Sequence, residues 1–398
     1  MNELTEENLS SDGVSLKKKL NRSLFKSKMR AFFLVLPLLT FLSIFFVIPI
    51  INLLSQSFLD FRYATLMPSS TQALKDWDGK IFPTEEIAKA MVIDLIKAKK
   101  NKTIGKVATR VNRELSGTRS LFTKTARAAK KMEAPYMEAL IKKDKKWENL
   151  KTWQAIKISS MAVTPSYLLA AVDRKYTAEG EIIQQDENRR IHVTLFLRTI
   201  EISIIVTLAT LLLGYPVAFL MASLPLRTSN LLLILVLLPF WTSLLVRTTA
   251  WIAMLQSSGV VNDLLVFFGV TADDARFSLI YNKTGTLISM THILLPFMIL
   301  PLYSVMKTIP LGYMRAALSM GAKPIYAYRK VYLPQTLPGL AAGTLLVFIL
   351  AIGYYITPAL VGGEDGLLIS NLIAYHIQKS LNWSLGAALG TILLVVVL

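Results

Sequence analysis

The chain contains no cysteine, which excludes disulfides and thiolate metal sites. Histidine is nearly absent as well. The three that occur, His192, His292 and His376, lie far apart in sequence. No H-E-x-x-H pair exists, so each reads as a packing or interfacial residue and no metal is expected. There is no G-x-x-x-x-G-K-[ST] loop to cradle a nucleotide and no G-x-S-x-G nucleophile elbow. The chain therefore reads as neither an ATPase nor a self-contained enzyme, and no cofactor is expected. Acidic residues are also scarce: 26 Asp and Glu stand against 44 Lys and Arg, a formal charge of +18.

Apolar residues, in contrast, are plentiful and bunched. The composition is 53% hydrophobic, with a mean hydropathy of +0.48. Several runs reach about 20 residues, enough to cross a hydrocarbon core of roughly 30 Å. This predicts an all-α polytopic protein of the lipid bilayer. In such a chain Lys and Arg collect in cytoplasmic loops, so the positive charge does not call for a nucleic-acid partner.

The polar segment 1–30 ends in "LKKKLNRSLFKSKMR" and is followed by an apolar run across 31–57. That run exceeds the 7–15 residues of a signal-peptide core, so it reads as an uncleaved first span with the N-terminal tail in the cytoplasm. Further spans are expected near 193–222, 230–256, 284–306 and 338–361. A sixth run starts near Leu385 and reaches Leu398, as if the chain ended inside a span. On this topology the loops 223–229 and 307–337 are cytoplasmic, and Arg227, Lys307, Arg315, Lys323, Arg329 and Lys330 agree with that side.

Residues 58–192 contain no spanning run and fall outside the membrane, between the first and second spans. They carry roughly 26 Lys and Arg against 16 Asp and Glu, which a long translocated loop tolerates. Segments such as "EEIAKAMVIDLIKAKKNK" and "APYMEALIKKDKKW" have apolar residues at i, i+3, i+4 spacing, predicting a small, mainly helical extracytoplasmic domain. Its basic surface fits a solvated face, or one that meets anionic lipid or a partner, better than a nucleic-acid site.

The loop 307–337 is punctuated with care. Within "MRAALSMGAKPIYAYRKVYLP", Gly321 can take a positive φ and end a short helix. Pro324 suits the first turn of a second helix, and Pro334 and Pro338 are expected to break the chain before the next span. The plainer reading is an ordinary basic loop that happens to contain prolines. The spacing argues otherwise. Ala316-Ala317, three residues, Gly321, nine residues, Val331, one residue, Leu333-Pro334 resembles the signature loop of ABC-importer permeases of type I. Their pattern places Glu where Arg315 stands and Ile where Val331 stands. "LPFWTSLLVRTTAWIAMLQSSGVVNDLL", "GYYITPALVGG" and "ISNLIAYHI" also resemble the spermidine/putrescine permeases, over about 194–398 and the first span.

The resemblance implies a permease core over 193–398 with about six transmembrane helices, in a bacterial inner membrane. It implies as partners ABC ATPase subunits that dock on the loop 307–337, a second permease subunit, and a periplasmic solute-binding protein. The segment 58–192 is an insertion relative to the compact polyamine permeases. The implied function is ATP-driven polyamine import. The alternatives are the same machine for an opine, an amine osmolyte or an inorganic ion, or a membrane-anchored sensory or binding protein.

Charges within spans are costly and tend to be functional. Glu201 and Arg247 both lie toward the outer ends of their spans, and either pair with each other or, for Glu201, face a cationic substrate. Trp241, Trp251, Tyr354 and Tyr355 are candidates for cation–π contact with a polyamine, against the plainer role of interfacial anchors. Pro216, Pro239, Pro296 and Pro301 are candidate kinks for alternating access.

Overall fold

A computed structural model describes residues 16–176 and 181–398. Half of the expected tail 1–30 therefore lies outside the described residues. Two compact units are distinguished, the first ending at Gln56 and the second starting at Ser57. The first is one long apolar rod: α1 (Leu16–Leu42), a π-helical turn (Ser43–Val47) and α2 (Ile48–Ser55). Its stretch Leu20–Ser55 is long and apolar enough to cross a membrane.

The second unit begins with the insertion. Its helices are α3 (Arg62–Leu66), α4 (Pro68–Lys75), α5 (Glu85–Lys100), α6 (Ile104–Glu114), α7 (Thr118–Ala128), α8 (Tyr136–Lys143), α9 (Leu150–Ser160) and α10 (Ser166–Ala171). A hairpin of β1 (Arg174–Tyr176) and β2 (Ile182–Gln184) follows, a small departure from the all-α expectation. α5 buries Ile87, Met91, Leu95 and Ala98, the amphipathic stripe read from its sequence. The core centres on Trp147 and Trp153, whose rings lie 5.0 Å apart. Both indoles are satisfied, Trp147 donating to Thr125 Oγ1 at 3.0 Å and Trp153 to the Trp147 carbonyl at 2.8 Å. Buried Asp94 accepts from the Ser70 backbone N–H at 2.7 Å and so closes the first turn of α4.

The insertion is seated on the helices from His192 onward. Its entry and exit are stitched together by Asp60 N–H to the Ala162 carbonyl (2.9 Å) and Thr164 N–H to the Phe58 carbonyl (2.8 Å). Asp60 is the hub of the joint. Arg62 donates to both of its oxygens (2.7 and 2.8 Å), Tyr167 Oη donates at 2.6 Å, and the buried Arg110 guanidinium lies 2.9 Å away. Burial by itself would raise the Asp60 pKa, but the bonds from Arg62 and Tyr167 and the field of both guanidiniums hold it down at about 2. Arg62 then reaches Ser384 Oγ at 2.7 Å, and Arg113 the Leu381 carbonyl at 3.3 Å. Tyr167 and Ala171 complete the joint in an apolar cluster with Phe196, Ile369, Ala388 and Leu389.

The remaining helices are α11 (His192–Ser223), α12 (Leu226–Leu237), α13 (Leu244–Leu255), α14 (Val260–Phe267), α15 (Lys283–Thr308), α16 (Leu311–Ser319), α17 (Pro324–Ala327), α18 (Leu333–Gly353), α19 (Ile356–Val361), α20 (Ile369–Gln378) and α21 (Trp383–Val397). α11, α15 and α18 pack together as the centre. Close approach of α15 and α18 depends on Gly343, where an added Cβ would sit 2.9 Å from Met298 Sδ. Small residues at such crossings are the usual solution where helices cannot be driven together by water.

Five stretches among the described residues are long and apolar enough to cross a membrane: Leu20–Ser55, His192–Ser223, Leu244–Phe267, Lys283–Thr308 and Pro324–Gly353. Two shorter apolar helices, Leu226–Trp241 and Trp383–Val397, accompany them. Two sequence expectations need correction. The run 230–256 is not one helix; it breaks after a 3₁₀ turn at Leu238–Trp241, where Pro239 withholds an N–H and Ser243 Oγ caps α13 through Val246. The run 338–361 starts earlier and ends earlier, because α18 is continuous with a π-helical turn at Tyr328–Tyr332 and stops at Gly353. Pro334 sits in the first turn of α18 and Pro338 inside the helix, so neither breaks it. Pro334 follows the π-helical turn directly, where the α-type bonding is already interrupted, so its missing N–H is accommodated there. Pro216, Pro296 and Pro301 likewise lie within continuous helices.

Candidate functional site

The residues of the signature loop form a compact projection. Pro310 precedes α16, and Gly321 takes φ +87°. Around it Ala322 N–H bonds the Ala317 carbonyl (3.1 Å) and Gly321 N–H the Leu318 carbonyl (3.0 Å). That is a helix stop of the Schellman type, and only glycine adopts its positive φ without strain. The chain then re-enters helix at Pro324. Arg315 and Ala316 are exposed, whereas Ala317 is buried and lets the turn close. Beside the turn, Met320 is 82% exposed and Ile325 75%. A shallow groove of about 810 Å³ opens among Lys323, Pro324, Ile325, Tyr326, Arg329 and Lys330. The projection is thus an apolar tip with a basic rim.

Its base is firmly attached. Tyr328 and Tyr332 stack at 5.6 Å, and the edge of Phe219 from α11 meets both, at 5.7 and 5.3 Å. Tyr328 Oη donates to Tyr215 Oη at 2.8 Å, and Tyr215 Oη lies 3.3 Å from Thr336 Oγ1. Lys307, at the end of α15, reaches the carbonyls of Ala222 and Leu224 at 3.4 Å each. Val331 and Leu333 are half-buried in this base, and Pro334 is exposed beside it. The base thus touches α11 and α18 directly, and α15 leads into it along the chain. Sequence reasoning found the tip but missed Tyr215 and Phe219, because they are 100 residues or more away and carry no motif.

The second set of candidates separates into two places. Glu201 does not pair with Arg247; it accepts from Lys283 Nζ at 2.5 Å, tying α11 to the start of α15. The reason is packing order: α11 lies against α15, so the cation on α15 reaches it first. Arg247 sits in α13, with Nε and Nη1 buried and without a hydrogen-bond partner among the described residues. Next to it on α13, Thr248 Oγ1 is 3.2 Å from Thr357 Oγ1 and Trp251 Nε1 donates to His292 Nδ1 at 3.1 Å. α13, α15 and α19 thus meet around Arg247. Tyr354 is half-buried at the end of α18, whereas Tyr355 is 40% and Trp241 76% exposed. The carbonyls of Tyr354 and Tyr355 accept from Ser370 and Asn371, which pins α20. Among the described residues no group of three His, Asp or Glu could hold a metal ion. His192 instead bonds Asp173 at 2.6 Å at the start of α11.

Five stretches long and apolar enough to cross a membrane, a three-helix centre and a projecting two-helix turn fit an integral membrane protein. Comparison with known proteins gives the family. Residues 191–398 match the family of binding-protein-dependent transport system inner membrane components. The spermidine/putrescine transport system permease protein PotB of Escherichia coli (strain K12) is 34% identical over 206 residues, covering 52% of this chain and 74% of that one. Its namesake in Haemophilus influenzae is 37% identical over 190 residues, covering 48% and 66%. The inner membrane ABC transporter permease protein YdcU of Escherichia coli (strain K12) is 31% identical over 225 residues, covering 54% and 67%. The chain belongs to this family and is a multi-pass permease subunit of an ABC importer rather than an enzyme.

Proposed function

We propose that the chain is the permease of a polyamine importer, with its N-terminus in the cytoplasm, residues 58–192 outside, and the α16–Gly321–α17 projection as the seat of an ATPase subunit. The observation that carries the docking part is the exposed tip at Met320 and Ile325 on a base bonded to α11 and α18 through Tyr215, Tyr328 and Thr336. An apolar tip with a basic rim suits a groove on a partner, and its attachment lets ATP-driven closure reach the spans. A second permease subunit completes the pathway. The substrate rests on the likeness to PotB from two organisms. Glu201, Trp251, Tyr354 and Tyr355 are its candidate contacts.

One observation favours a second reading. The unpaired N–H groups of Arg247 would repel a polyamine and suit a solute with a carboxylate or other anionic group, such as an opine or an inorganic anion. Two measurements separate these readings. Gly321→Trp should abolish co-purification of the ATPase; unchanged assembly sinks the docking assignment. Uptake of labelled spermidine by cells carrying the whole system tests the substrate. Uptake of an anionic solute that Arg247→Gln abolishes, with spermidine ignored, would replace polyamine by the second reading.

A further inference from the structure

Residues 58–190 lie outside the family match, and the roles proposed so far make no use of their surface. One end of the insertion is strongly basic. The last turns of α6 sit at the joint with the permease, Arg110 on Asp60 and Arg113 on the Leu381 carbonyl. At 1.5 Å per residue, Ile104 lies about 9 Å along the helix from Arg110 and about 14 Å from Arg113. α5 ends beside Ile104 with Lys97, Lys99, Lys100 and Lys102. α7 returns to the same end, where Arg127, Lys130 and Lys131 follow; Lys99 Nζ donates to the Arg127 carbonyl at 3.2 Å. All seven are exposed, and none has an ion-pair partner among the described residues. The one acid between Lys97 and Lys131 is Glu114, which is held by Arg110 at the opposite end.

Helix C-termini favour cations, which accounts for the last turns of α5 and α7 but not for Lys102 or for Lys130 and Lys131 beyond the helix. None of the large apolar side chains from 97 to 131 is exposed. A membrane-embedding face needs such anchors, and a single-strand nucleic-acid site needs aromatic platforms. The surface that remains is one shaped for charge alone.

We propose that this basic tip is an electrostatic docking site for an acidic face of the solute-binding protein. The proposal rests on the reading of 58–192 as extracytoplasmic. The family depends on a binding protein, which approaches from that side, and the tip lies at the end of α6 away from the joint. Charge of this kind chiefly raises the association rate and fades with salt.

The test uses the whole transporter in nanodiscs of zwitterionic lipid and the binding protein encoded with it. Association to the unmodified complex should slow about tenfold between roughly 50 and 500 mM salt. In the variant Lys97→Glu, Lys99→Glu, Lys100→Glu, Lys102→Glu it should be slow and insensitive to salt. Salt-independent association, or a variant equal to the parent, overturns the proposal. Hydrogen exchange across α5 and α6 checks that the variant folds; if it does not, Lys99→Gln with Lys130→Gln should give an intermediate loss. Protection of the α5 end in phosphatidylglycerol nanodiscs without binding protein would assign the tip to lipid instead. Because the chain lacks cysteine, Lys99→Cys supplies a unique label. Reaction with an impermeant maleimide only after the inner membrane is broken would refute the outside location, independently of docking.

Discussion

Asp60 concentrates the attachment of the insertion in one carboxylate, so its removal should be costly. Its side chain is 1% exposed, as is that of Arg110. Asp60→Asn keeps the shape and removes the charge. The lowering of its pKa from 3.8 to about 2 corresponds to about 2 kcal/mol of preference for the folded, ionised state. Asp60→Ala also strips Arg110 of its buried partner, for which roughly 3–5 kcal/mol is usual. Hydrogen exchange of α6 and α10 in the purified permease complex reads this directly. About 2 kcal/mol accelerates exchange through joint opening ~30-fold, and the alanine variant should exceed a hundredfold. The sign with pH follows from the depressed pKa. The contribution is fully present above about pH 4 and is lost as pH falls from there toward 2. In Asp60→Asn that pH dependence should vanish. Exchange in the asparagine variant within threefold of the parent, or an unaltered acid profile, would refute the reasoning.

Three further outcomes are expected. Gly321→Val, at φ +87°, should strain the turn by roughly 1–3 kcal/mol and lower ATPase-coupled transport while leaving substrate-loaded binding protein able to associate; normal coupling ratios would count against the projection as a lever. Gly343→Leu should wedge α15 from α18 against Met298 at a cost of about 1–3 kcal/mol or more, visible as a lower melting temperature of the complex. Glu201→Lys with Lys283→Glu should recover much of the transport lost in either single variant if the 2.5 Å pair serves as a strut; a dead double variant assigns Glu201 a further duty.

Much of this protein is legible along the chain. The apolar runs at 31–57, 193–222 and 284–306 coincide with continuous helices because length and hydropathy are local properties. The turn at Gly321 is local too, and its spacing survives the change to Arg315. Where the reading failed, the cause was cooperative. Pro239 ended a helix and Pro338 did not, because Ser243 caps a new start in one place while packing against α15 holds the helix together in the other.

Pairing lay further from reach. Nothing in the order of residues says that Glu201 meets a lysine 82 positions on rather than the arginine at 247. The same holds for the 322 residues between Arg62 and Ser384. The sequence by itself determined that this chain lives in a membrane, where several of its apolar spans lie, and which loop resembles a docking segment. All three follow from forces that act over one turn or one span. Only the tertiary structure decided which charges neutralise each other, what the loop around Gly321 is bolted to, and that the insertion is seated on the permease, since each depends on where distant helices come to rest.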